Sequence, residues 1–132
     1  MTRVALLCAL LCHCSLGPSA NEKAEAGRIS RAIDVLRDAP NAQKGELLGA
    51  LKAVACEVAP LCALQRVCVD GYGQHVLALS ETARAKALIA AGDAQGEAGM
   101  ILNSAKVELA EAAPKIARCA DAQGAAHRTY KF

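Results

Sequence analysis

The residues best placed to do chemistry are four cysteines, Cys56, Cys62, Cys68 and Cys119. The first three stand six residues apart, with Pro60 between the first two. A structural zinc site usually includes a short C-x2–4-C pair, and these four provide none. Covalent haem attachment needs C-x-x-C-H, which is also missing. The alternatives are buried free thiols or disulfides, and disulfides are expected if the chain is exported. Four cysteines allow three pairings.

A second constellation is Asp70, Tyr72 and His75, set in the stretch Val69-Asp70-Gly71-Tyr72-Gly73-Gln74-His75. A carboxylate, a phenol and an imidazole brought together could bind a ligand or move a proton. The two glycines cost helix stability, about 1 kcal/mol each against alanine. They either break the helix and expose Tyr72 and His75, or admit a neighbouring helix at close range. The bland alternative is a kink with a surface Asp, a packed Tyr and a half-buried His. Glu108 and Glu111 are one helical turn apart and mimic paired carboxylates, but that spacing equally suits a solvated helix face.

No catalytic residue is assigned. Ser30, Ser80 and Ser104 have no nucleophile-elbow context. Gly92, Gly96 and Gly99 flank a helix start without a Walker lysine or a preceding strand. No metal or cofactor is implied, and the chain reads as a non-enzyme.

The elements that must position these residues begin after residue 20. Residues 1–20 read as a secretory signal peptide: Arg3, an apolar run over 4–12, then Gly17-Pro18-Ser19-Ala20. The run is too short to span a bilayer. Cleavage is expected after Ala20, although Pro18 is awkward there. Cys8, Cys12, His13 and Cys14 leave with the peptide and are apolar filler, not a metal site. The expected location is periplasmic or extracellular, and two closed disulfides fit that compartment.

Composition points to helices. Alanine, the strongest helix former, is the commonest residue; the chain is 54% apolar but only 2% aromatic, with no Trp. The expected fold is all-α, a single small disulfide-stapled bundle of about four helices over 21–122, with a flexible tail over 123–132. The first helix spans 22–38 and ends at Ala39-Pro40. Asn41 suits the cap of a second, running to about residue 58. The third spans 60–90. Gly92 and Asp93 suit its end and the next cap. The fourth starts near 94 or 97 and runs to 122.

Helix corners at Pro60 and Gly92 select among the pairings. Folding back at Pro60 puts Cys56 beside Cys62. Folding back at Gly92 puts Cys119 nearer Cys68 than Cys62. Cys56–Cys62 and Cys68–Cys119 are therefore expected.

In the fourth helix, Leu102, Ala105, Leu109, Ala112, Ile116 and Cys119 recur at alternating steps of three and four, a heptad seam. Leu102, Leu109 and Ile116 are expected in the core, with a kink or break before Pro114. The tail could instead dock through Tyr130 and Phe132.

Net charge is +2 over the full chain. Both signs are interspersed and no arginine-rich arm occurs, so no nucleic-acid partner is expected. After residue 20 no apolar run is long enough to cross a membrane. The expected function is an exported, non-enzymatic interaction or structural module with an unknown protein partner. The alternative is a carrier of a small apolar ligand, which needs a cavity of about 300 Å³ or more. Last comes an enzyme around Tyr72 and His75.

Overall fold

The computed structural model describes residues 17–93 and 96–132, so most of the expected signal peptide lies outside it. The described residues form four α-helices and a 3₁₀ turn. The order is α1 (Ala20–Asp38), the turn (Asn41–Gln43), α2 (Lys44–Ala53), α3 (Ala59–Ala90) and α4 (Glu97–Tyr130). The fold is all-α, and both disulfides pair as expected, Cys56–Cys62 and Cys68–Cys119.

Local chemistry explains most boundaries. Ser19 and Glu22 form a reciprocal capping box at the start of α1. The cut expected after Ala20 would fall inside α1 and separate Ser19 from the helix it caps. Gly92, at φ +80°, follows α3. Asp93 accepts hydrogen bonds from the N–H groups of Glu97 and Ala98 at 3.0 and 2.8 Å; it caps α4 as expected, but from three residues ahead of Gly96, which holds the N-cap position at φ +73°.

Four expectations are corrected. First, α2 begins at Lys44, and Asn41 makes no side-chain cap. Instead the buried Lys44 ammonium donates to the carbonyls of Leu36 and Arg37 at 2.9 and 2.8 Å, so the cation closes the C-terminus of α1.

Second, α2 ends at Ala53 and 54–58 is a loop. Long-range polar clamps hold this loop. The Glu25 carboxylate accepts from the N–H groups of Glu57 and Val58 at 2.9 and 3.0 Å. The Gln65 amide donates to the carbonyls of Leu51 and Val54 at 2.7 and 2.9 Å.

Third, α4 passes through Pro114 and ends at Tyr130. Residues 123–130 are thus helix, not tail, with Gln123, Ala126 and Tyr130 buried. Gln123 donates to the Ser30 hydroxyl at 2.7 Å and to Asp34 at 2.9 Å, tying α4 to α1. Tyr130 is buried in its own fold and is not available for docking, and His127 stacks on Phe132.

Fourth, the phase of the α4 seam differs. Ala98, Ala105, Ala112, Cys119 and Ala126 are buried, while Leu102 and Leu109 are 39% and 40% exposed and Ile116 is half-buried. The cause is how closely α3 and α4 approach. A Cβ placed on Gly71 would come within 2.9 Å of backbone atoms of Lys115 and Ile116. Cys68 and Cys119 join with Cα atoms 4.7 Å apart at the same level. At such a separation alanines fit between the axes and leucines do not, so the leucines move to the rim.

The core sits at one end of the α3–α4 hairpin. Ile29, Ile33 and Leu36 of α1 and Leu48 and Leu51 of α2 pack on Leu61, Leu64, Cys68 and Tyr72 of α3 and on Cys119, Ala126 and Tyr130 of α4. Gly45 faces Val76 at the upper limit of this base. Beyond it, 77–90 of α3 and 97–113 of α4 continue as a two-helix arm, seamed by Ala78, Ala85, Ala98, Ala105 and Ala112.

Candidate functional site

Asp70, Tyr72 and His75 lie in the unbroken α3, and its geometry separates them. Successive helical residues turn about 100°, so Asp70 points away from Tyr72 and His75. Asp70 is exposed and pairs with Lys115 at 3.2 Å. Tyr72 is buried in the base. Its phenol is pushed up from the ordinary value by burial, opposed by the charge of Arg37 and assisted by Asp38 and Asp34. His75 is half-buried and pushed down from its ordinary value by burial, then by the charge of Lys44. The three side chains do not converge on one point. Of the two glycines, Gly71 is the one that admits α4; Gly73 has open space around it.

The polar cluster that does form on this part of α3 centres on Gln74. Its amide donates to Glu108 and, at 2.8 Å, to Glu111. Lys115 donates to the Gln74 side-chain oxygen at 2.7 Å and to Asp70 at 3.2 Å. Glu108 and Glu111 therefore share one amide donor across the helix pair, and Lys115 and Asp70 extend the network. Its members satisfy one another, which suits fixing the α3–α4 register.

Glu25, Cys56 and Cys62 bring one carboxylate oxygen and two sulfurs within 4.8 Å. The sulfurs are bonded to each other, and the carboxylate accepts two backbone N–H groups. The group is a clamp on the 54–58 loop.

Two of the concavities on the described residues are lined as follows. One, about 200 Å³, is lined by Asn21, Ala24, Glu25, Arg28, Ala55 and Glu57. The other, an open groove of about 410 Å³, is lined by Lys52, Gln65, Arg66, Val69 and Asp70. Neither gathers the Tyr72–His75 pair, and charged side chains line both.

The third candidate surface is the arm. Leu77, Ile89, Met100, Leu102, Val107 and Leu109 are exposed there. Sequence reading placed Leu102 and Leu109 in the core because Leu is the larger apolar residue of the repeat. The clamps of Glu25, Lys44, Gln65 and Gln123 were missed, since each is defined by a partner distant in sequence. No sequence signal pointed to the Glu25 clamp, because the second helix was read as running to about residue 58 and the 54–58 loop became visible only in the fold.

No described helix is long and apolar enough to cross a membrane. The chain matches no protein family, no curated protein and no solved structure.

Proposed function

We propose that the protein is an exported, non-enzymatic interaction module in which a stapled four-helix base carries a two-helix arm that engages another protein. The observation that carries this reading is the exposure of Leu102 and Leu109, 39% and 40%, on an arm that α1 and α2 do not cover. The stripe they belong to is packed in the base, where Ile116 and Gln123 continue it beneath α1. Exposed apolar side chains gathered on one element mark interaction surfaces. The dispersal of Asp70, Tyr72 and His75 supports a non-enzymatic role. The two disulfides support an oxidising compartment.

The test is site-specific photo-crosslinking in cells that make the protein. The crosslinker replaces Ala83 or Ala90 in the arm, both exposed, or Ala117 on the outer face of the base. A discrete adduct from the arm positions and none from Ala117 is the expected result. No adduct from the arm, or equal adducts from all three, would overturn the reading. Export is checked separately by N-terminal sequencing: the mature chain should begin at Asn21, and a chain beginning at Met1 contradicts it.

A further inference from the structure

The arm has two flanks, and they differ in charge. One flank holds the acidic groups: Glu108 and Glu111 against Gln74, and Glu97 against Arg84. Glu81, seven residues after Gln74, lies on the same flank by helical spacing. The other flank continues the side on which α1 and α2 cover the base, where Val76 meets Gly45 and Gln123 meets Ser30. Further up, helical spacing gives this flank Leu79, Ala83 and Ala90 from α3, with Leu102, Leu109 and Ala113 from α4. Leu79 is half-buried and the other five are exposed. The flank's charged residues are Lys86 and Lys106, both exposed and in no ion pair among the described residues.

Between two antiparallel helices this flank forms a shallow groove by geometry, in line with Cys68 and Tyr72 of the base, on which α1 packs. On the α3 side, Leu79 stands at the lower end, next to the base, and adds apolar surface there. Above it Ala83 and Ala90 are small, as needed for a helix to approach closely. On the α4 side, leucines at a seven-residue spacing form the opposite wall. Residues 77–90 of α3 supply about 20 Å of length, enough for a partner helix of roughly 14 residues.

Resting on the interaction-module reading above, we infer that this groove binds an amphipathic α-helix of a partner protein, apolar on one face and flanked by acidic residues. The mode is helix-in-groove recognition, with Lys86 and Lys106 pairing the acidic flanks. Charge decides among the occupants. A second copy of the same groove would bring two more lysines and no carboxylate from the matching face, so like charges would meet across the two-fold axis. Residues 1–16 contain no Asp or Glu, and α1 begins at the end of the base opposite the arm, where Glu25 meets the 54–58 loop.

The test uses the oxidised protein as purified from its producing cells. Two fluorescein-labelled helical peptides of about 16 residues carry one leucine stripe, flanked by Glu in one and by Lys in the other. Anisotropy titration at low salt should show the Glu-flanked peptide binding at least about ten-fold more tightly. Replacing Leu102 and Leu109 together by Ser should weaken it by about ten-fold or more. Circular dichroism of that variant must still show a folded, cooperative melt. Lys86→Glu with Lys106→Glu should reverse the preference between the peptides.

Equal binding of both peptides, or unchanged binding by the leucine variant, overturns the assignment. So does a groove-dependent dimer in sedimentation equilibrium. Binding to anionic phosphatidylglycerol vesicles through the two lysines, without peptide preference, also overturns it. Crosslinks from the arm without peptide preference would defeat the acidic-helix assignment and leave the interaction arm standing. Absence of crosslinks from the arm would remove both.

Discussion

Gly71 and Gly73 stand two residues apart and do different work. A Cβ on Gly71 meets the backbone of α4 at 2.9 Å, and backbone cannot step aside as a flexible side chain can. Gly71→Ala should destabilise the fold by about 1–3 kcal/mol, the usual range for overpacking. Gly73 has nothing within 4 Å of the same position. Gly73→Ala should therefore stabilise by up to about 1 kcal/mol through helix propensity alone. Chemical denaturation of the two variants checks the pair, and equal effects would mean that the close approach at Gly71 is absent.

His75 gives a pH prediction. Its folded-state pKa is held below the ordinary value, chiefly by burial and then by the charge of Lys44. The unfolded chain therefore binds the proton more readily. The stability contributed by neutral His75 is complete above about pH 6.5, the unfolded value. It is lost as pH falls from there through the folded pKa. His75→Gln should flatten that part of the stability–pH curve, measured by urea melts between about pH 4 and 7.5. At this scale the sequence was legible where a residue acts on its immediate neighbours, as Asp93 does in capping α4. It was not legible where the partner is distant. Lys44, Glu25 and Gln123 look like surface residues until α1, the 54–58 loop and α4 come together.

Along α4 two apolar series share one heptad, and the sequence alone does not choose between them. Ala98, Ala105, Ala112, Cys119 and Ala126 form one; Leu102, Leu109 and Ile116 form the other. Size favours the leucines as core residues, but the short distance between helices selects the alanines. Leu109→Ala should accordingly cost less than about 1 kcal/mol, as surface positions usually do. Ala112→Leu should cost about 1–3 kcal/mol by overpacking the seam. Thermal melts that reverse this order would restore the leucines to the core.

The cysteine pairing was legible because it follows from two helix corners. The bridges should differ in weight. Cys56 and Cys62 are six positions apart in sequence, and Cys68 and Cys119 are 51 apart. Chain entropy then gives roughly 2.4 and roughly 4 kcal/mol. Replacing Cys68 and Cys119 together by Ala should be the more damaging pair in denaturant melts, and the opposite order would contradict this. Beyond Pro114, α4 keeps more anchors than its sequence advertises. Gln123 and Tyr130 continue the Leu102–Ile116 series and Ala126 the alanine series towards the end of the helix. Gly124 and the polar Gln123 disguised that continuation as a tail.

For the whole molecule, the helical class, the number of helices and the corner at Gly92 were open to reading from composition and punctuation. The division into base and arm was not. It arises because α1 and α2 are short and α3 and α4 are long, and because α1 stops beside Tyr72, where Lys44 closes its last turn. That division is the central claim, and residue-resolved amide hydrogen exchange on the oxidised chain tests it most directly. The base is secured by two disulfides, the core and the loop clamps, whereas the arm has one seam of alanines, the exposed Arg84–Glu97 pair and the contacts of Glu108 and Glu111 with Gln74. Residues 79–88 and 99–109 should therefore exchange faster than 61–74 and 115–127 in the isolated protein, and slow on addition of the Glu-flanked helical peptide. Uniform protection across arm and base in the isolated protein, with no change when the peptide is added, would contradict the account.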